Sequence, residues 1–256
     1  MTQKTLLLTG ASRGIGHATV KLFQAAGWRV LTVSRSAFDA RCPWHAGTSD
    51  HFQGNLADPA ARADLVARLR ETLGDGGLNA IVNNAGISPK GPQGERLGVA
   101  TSSDEIWRQV LAVNLIGPAA LMRDLMPELA RGTGAVVNVG SIVGTRVHPF
   151  AGTAYACSKA ALAALTREAA AELGPRGIRV NMVTPGEIET EILSPGTEEM
   201  ASLIPMRRLG QPDEVARVVL FLCSAEAGYV NGSSIDVNGG PQTCWPPFTS
   251  IELPLT

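Results

Sequence analysis

Short apolar runs alternate along the chain with longer stretches in which apolar residues recur at helical spacing. Thr5–Thr9 (TLLLT) is one such run, ends at Gly10 and reads as a buried strand. Ile15 to Ala26 places Ile15, Ala18, Leu22, Phe23 and Ala26 on one helical face and stops at Gly27. Trp28–Val33 predicts a second strand, and residues 36–50, with Pro, Gly and Ser, predict a loop. Asp58-Pro59 has the form of an N-cap and first helical position, opening a helix to Leu73. Leu78–Val82 is a further strand; Ser103–Leu129 is mostly helical, with bends or ends expected at Pro118 and Pro127. Ala135–Val139 (strand), Thr153–Leu173 (helix), Ile178–Met182 (strand), Pro212–Cys223 (helix) and Ser234–Val237 (strand) complete the series.

Strands that alternate with helices predict an α/β fold: a Rossmann-like, doubly wound parallel sheet with helices on both faces. Neither a repeat nor a compositional break divides the 256 residues, so a single domain is expected, with residues 241–256 as an irregular tail. The net charge of −1 and the lack of a basic run exclude nucleic acid as a bulk partner. The cysteines (Cys42, Cys157, Cys223, Cys244) form no C-x-x-C pair and no metal-spaced cluster, so no metal and a reduced, cytoplasmic setting are expected. The apolar run near the N-terminus is too short for a signal peptide, and no stretch approaches membrane-spanning length.

Chemistry enters at TGASRGIG (Thr9 to Gly16), between the first strand and first helix. Its glycines allow a phosphate to approach the backbone, and the helix start offers free N–H groups. The spacing G-x-x-x-G-x-G differs from the usual G-x-G-x-x-G, and a purely structural turn is the alternative. About 20 residues on, an acid would hold a ribose 2′-hydroxyl. The second strand ends instead Val33-Ser34-Arg35-Ser36, with no acid before Asp39. Arg35 and Arg13 suit a 2′-phosphate, which points to NADP(H) over NAD(H); two solvated arginines are the plain alternative. Farther along, TAYACSKAA (Thr153 to Ala161) sets Tyr155 and Lys159 on one helix face. A nearby ammonium favours the phenolate and is expected to lower the tyrosine pKa.

The glycine turn, Asn83-Asn84-Ala85-Gly86, Asn114, Ser141, Tyr155-x-x-x-Lys159 and Pro185-Gly186, taken in order from about Leu6 to Gly240, resemble the short-chain dehydrogenase/reductase family. PMRRLGQPDEVA (Pro205 to Ala216) and NGSSIDVNGG (Asn231 to Gly240) are similar to family segments too. The resemblance is greatest to 3-oxoacyl-(acyl-carrier-protein) reductases and their ketone-reducing relatives. It implies hydride transfer at a carbonyl or alcohol with a nicotinamide cofactor. By the resemblance, Ser141, Tyr155, Lys159 and Asn114 are catalytic, Tyr155 as general acid/base. Gly10, Ser12, Arg13, Gly14, Ile15, Gly16, Arg35, Asn55, Leu56, Asn84, Ala85, Gly86, Pro185, Gly186, Ile188 and Thr190 are implied to hold the cofactor with Tyr155 and Lys159. Asn114 matches the residue whose backbone supports a water leading to the lysine. The family also implies a homotetramer, paired through helices such as the alanine-rich 154–173 segment.

The substrate is less defined. Asn55 stands where many members carry Asp, and Val147-His148-Pro149-Phe150 is bulkier than in many acyl reductases. Residues 191–206 are expected to form a lid with an apolar side, and Phe150 and Val147 to line the pocket, which favours an apolar ketone. An acyl-carrier partner would want a basic rim, for which Arg131, Arg176, Arg207 and Arg208 are candidates, although arginines on a solvated surface read more plainly. His148 is assigned no catalytic role. Two alternatives stand beside the NADPH-dependent ketone reductase: an NAD-dependent dehydrogenase of a sugar, polyol or steroid alcohol, and a non-catalytic dinucleotide-binding scaffold or sensor.

Overall fold

The computed structural model describes residues 3–37, 50–190 and 201–240. Most of the expected 36–50 loop, the 191–200 part of the expected lid, the 241–256 tail, Asp39, Cys42 and Cys244 lie outside the described residues.

Seven strands form one parallel sheet in the order β3-β2-β1-β4-β5-β6-β7. They are β1 (Thr5–Thr9), β2 (Arg29–Ser34), β3 (His51–Gln53), β4 (Ala80–Asn83), β5 (Ala135–Val139), β6 (Arg179–Pro185) and β7 (Ser234–Val237). The helices are α1 (Gly14–Ala25), α2 (Pro59–Leu73), α3 (Asp104–Leu111), α4 (Gly117–Asp124), α5 (Met126–Arg131), α6 (Thr153–Leu173) and α7 (Pro212–Cys223). The pleat of β1 shows how the layers are made: Leu6 and Leu8 face the core beneath α1 and α7, while Leu7 faces the core beneath α2, α4, α5 and α6. All three are fully buried, each contributing roughly 1.5–3 kcal/mol of transfer free energy. A strand buried on both faces reads as a near-continuous apolar run, as Leu6–Leu8 of β1 and Ala135–Val137 of β5 do.

The strand order changes direction on either side of β1 and β4, and the crevice at their carboxyl ends is the switch point at which such sheets bind ligands. Polar side chains hold this region in register. Asn83 Nδ2 donates to Asn138 Oδ1 at 2.8 Å across β4 and β5, and Asn138 Nδ2 donates to Thr166 Oγ1 at 2.9 Å. The second bond pins α6, which carries Tyr155 and Lys159, to the sheet. At α2, the Asp58 carboxylate accepts from Ala60 N at 2.8 Å and Ala61 N at 3.3 Å, the expected N-cap.

The expected helical stretch over 103–129 is three helices, of which α3 and α4 are joined by a π turn at Ala112–Ile116 and α5 follows α4 after Leu125. Pro118 has no N–H to give the Asn114 carbonyl four residues earlier, and its ring would crowd that carbonyl in a regular α-helix; the wider turn relieves both. Among the described residues, no helix is long and apolar enough to cross a membrane.

Candidate active site

The glycine turn is fixed by its neighbours. Gly10 has φ +72, and a Cβ there would meet Ala85 Cα at 2.8 Å. At Gly16 a Cβ would fall 2.1 Å from the Gly10 carbonyl oxygen, so only hydrogen fits. Asn84 Nδ2 donates to that oxygen at 2.8 Å, and Thr9 Oγ1 accepts from the backbone N–H of Asn84 at 3.1 Å and of Ala85 at 3.0 Å. The turn and the Asn84–Gly86 segment are thereby one unit. Arg13, the N-cap of α1, is extended and makes no side-chain cap, so the first N–H groups of α1 have no side-chain acceptor from it.

Tyr155, Lys159 and Ser141 meet at the other end of the same crevice. The backbone after β5 is tied by Gly140 N donating to Val183 O at 2.8 Å, which places Ser141 just beyond the strand. From α6, Lys159 reaches under Tyr155: its Nζ donates to Val139 O at 2.7 Å and lies 5.6 Å from the centre of the tyrosine ring. Lys159 is 4% exposed. Asn114 stands behind this group, buried within the π turn. Its Oδ1 accepts from Ile87 N at 2.9 Å, and its Nδ2 donates to Ile87 O at 3.0 Å and to Ser158 Oγ at 3.0 Å. A methyl at Gly86 would sit 3.5 Å from both Asn114 Oδ1 and Lys159 Nζ, which measures how closely the two approach.

The electrostatics correct one expectation. The Tyr155 phenol is raised above its ordinary pKa of 10.0, not lowered. Burial is the main cause; a hydrogen bond with Ser141 draws it down, and the Glu187 carboxylate pushes it up. Burial also lowers Lys159 from 10.5 to about 8. Desolvation thus outweighs the effect expected of the neighbouring ammonium, which is bonded to the Val139 carbonyl below the ring.

These groups line a crevice of about 940 Å³. Gly10, Ser12, Arg13, Gly14, Ile15, Arg35, Asn55, Leu56, Asn84, Ala85, Gly86, Ser141, Tyr155, Lys159, Pro185, Gly186, Ile188 and Thr190 all line it. Gly16 and Asn114 sit behind the wall and support it. Ser34, Ser36 and Gly54 join Arg13 and Arg35 at the far end, where the described lining carries no acid. The residues suit a dinucleotide: Gly10 and Gly16 let the turn pack closely on Asn84 and Ala85, and a buried lysine and uncapped helix start supply donors for ribose and phosphate oxygens.

Several pocket expectations change. Val147 is 67% exposed, and neither it nor Phe150 is among the lining residues. Ring contact at 5.8 Å turns Phe150 toward His148 instead. Of the expected lid, Ile204 packs inward, whereas Met206 is exposed. The four arginines considered for a basic rim are engaged elsewhere and do not line the crevice. Arg131 pairs with Glu128 at 3.5 Å and Arg208 with Glu214 at 2.7 Å. Arg176 donates to Glu172 O at 3.2 Å, and Arg207 to the Ser202 carbonyl. Sequence reasoning missed Glu187 and its partner His148; an acid between Gly186 and the buried Ile188 was the available signal.

A family model described as enoyl-(acyl carrier protein) reductase matches residues 10–242. The chain belongs to the short-chain dehydrogenase/reductase family. Among curated members it is similar to protein FixR of Bradyrhizobium diazoefficiens, 53% identical over 93% of this chain and 86% of that one. The 3-oxoacyl-[acyl-carrier-protein] reductase FabG of Thermotoga maritima is 35% identical over 93% of this chain and 97% of its own. A solved family oxidoreductase from Brucella ovis, in complex with partially ordered NAD, is 51% identical, covers 93% of this chain and 100% of its own, and has a TM-score of 0.82. The family-model match spans the glycine turn from Gly10, the Ser141–Lys159 region and the strands between them.

Proposed function

We propose that this family member is an NADPH-dependent oxidoreductase that reduces a ketone or 3-oxoacyl-type carbonyl to a secondary alcohol, with Tyr155 as general acid/base. The observation that carries the reading is the meeting of Ser141, Tyr155 and Lys159 in one crevice with the glycine turn. When bound, the reduced cofactor supplies the hydride. The glycine turn, the start of α1 and Asn84–Gly86 would hold its phosphates and adenosine ribose, with Lys159 and Thr190 toward the nicotinamide end.

The chain's own work is positional and protonic. The Ser141 hydroxyl donates a hydrogen bond to the substrate carbonyl oxygen and aims it at Tyr155. The raised pKa keeps Tyr155 protonated at neutral pH, the state from which it donates a proton to that oxygen as charge develops. The Lys159 ammonium beneath the ring and the Ser141 hydrogen bond then favour the phenolate. Asn114, through the segment at Gly86, holds the route by which the proton is restored.

Arg13 and Arg35, with no acid among the described residues at that end, support NADPH. The NAD in the Brucella ovis relative favours the second reading, an NAD-dependent dehydrogenase of a sugar, polyol or steroid alcohol. Rates with NADPH and NADH separate them. Wild type is expected to prefer NADPH, and Arg35→Ala to weaken NADPH at least about tenfold while sparing NADH. A strong NADH preference in wild type overturns the NADPH assignment. No turnover with either cofactor over a carbonyl panel favours a non-catalytic scaffold or sensor. The chain is read as one cytoplasmic domain that forms a homotetramer, an assembly favoured by the exposed small residues Cys157, Ala160 and Ala164 along α6. An acyl-carrier partner finds no basic rim at the described part of the crevice.

A further inference from the structure

The crevice holds one acidic side chain among its described lining residues, Glu187, and it stands at the reacting end. The backbone around it is pinned. Gly186 N donates to Val237 O at 3.0 Å, Gly210 N donates to Glu187 O at 2.9 Å, and Glu189 N donates to Gly210 O at 2.8 Å. The side chain is held as firmly. Phe150 N donates to His148 Nδ1 at 3.2 Å, which leaves the proton on Nε2, and Nε2 lies 2.8 Å from Glu187 Oε1. Both side chains are largely buried, His148 at 7% and Glu187 at 14% exposed. Among the described residues, His148 is the only hydrogen-bond donor to this carboxylate; Arg146 acts on it through charge alone. Glu187 lines the same crevice as Ser141 and Tyr155, and its charge raises the Tyr155 phenol.

A fixed, desolvated carboxylate with one oxygen bonded to a histidine has capacity for a further donor. Leaving such a group against an apolar chain costs free energy, and an anionic group beside it would be repelled. Given the carbonyl-reducing reading above, on which this inference rests, we propose that Glu187, held by His148, is the specificity determinant of the crevice. It selects carbonyl substrates that carry a hydrogen-bond donor, a hydroxyl or an ammonium group, within one or two carbons of the reacting centre. A site built to bond such a donor rejects the analogue lacking it by roughly 100-fold or more. This narrows the apolar ketone expected from sequence to a hydroxylated or aminated one.

A matched ketone series tests it: the unsubstituted compound and its hydroxyl-, ammonium- and carboxylate-bearing analogues, at saturating reduced cofactor. In wild type, kcat/KM is expected to be higher for the two donor-bearing ketones by roughly 100-fold, and lowest for the carboxylate. Whichever of hydroxyl or ammonium leads identifies the source of the donor. Glu187→Gln should remove most of the ammonium advantage while cofactor binding, followed by nicotinamide fluorescence, stays unchanged. Glu187→Asp keeps the charge and should keep the order of the series. Turnover with no donor preference in wild type overturns this proposal and leaves the reductase reading intact. Loss of the order in both variants alike gives Glu187 a merely structural role and overturns it too. If no ketone oxidises the cofactor, the reductase reading falls and the proposal with it.

Discussion

Lys159 Nζ lies 5.6 Å from the centre of the Tyr155 ring and is anchored at 2.7 Å to the carbonyl oxygen of Val139. The lysine is thus a fixed charge beneath the phenol, set by β5 and α6 together, and its burial has a pH signature. Because burial lowers its pKa to about 8, the ammonium is present below that pH and lost above it. Affinity for the reduced cofactor is expected to be level below neutrality and to fall about tenfold per pH unit above 8. Stability moves in the opposite direction. The unfolded lysine keeps its proton to about 10.5, so the unfolded state binds more protons between about 8 and 10.5 and the fold gains stability across that window. Fluorescence titration of the cofactor and denaturant unfolding at matched pH values check the two trends; cofactor affinity that stays flat to pH 10 contradicts the role given to Lys159.

Gly16 sits where a Cβ would fall 2.1 Å from the Gly10 carbonyl oxygen and 2.7 Å from Asn84 Nδ2. Gly16→Ala should push the turn and Asn84 apart and weaken dinucleotide binding at least about tenfold, roughly 1.4 kcal/mol. Calorimetric titration of the variant reads this directly, and a Kd equal to wild type would show that the turn is not the phosphate cradle.

Asp58 caps α2, and neither it nor any residue of that helix lines the crevice that holds Tyr155. Asp58→Ala should cost about 0.5–2 kcal/mol of stability and leave kcat unchanged. Denaturant midpoints and steady-state rates separate the two effects; a loss of kcat with unchanged stability would contradict the assignment.

Elements with a strong local signature were legible from sequence. β1 stood out through its short apolar run, and α2 through Asp58-Pro59. β3 was not, because of its three residues only Phe52 is buried and its neighbours His51 and Gln53 are polar. β6 runs to Pro185, past the expected end at Met182, because Pro185 pairs with Val237 at the strand's last position, where a missing N–H is tolerated. The π turn escaped because one extra residue in a turn leaves little trace in apolar spacing, although Pro118 four residues after Asn114 marked the place. The candidate site was legible where its lining comes from local motifs, at the glycine turn and along α6. The sign of the Tyr155 shift was not, since desolvation and the Glu187 field arise from residues far apart in sequence. The His148–Glu187 pair escaped for the same reason: 39 residues separate the partners.

The central claim is that the Tyr155 phenol supplies the proton at a carbonyl. Its most direct test is Tyr155→Phe, measured for cofactor affinity and for single-turnover oxidation of bound reduced cofactor by a ketone that the wild type reduces. Cofactor affinity within about threefold of wild type and a rate lower by roughly 10²–10⁴ are expected. A rate equal to wild type, with the cofactor bound, would contradict it.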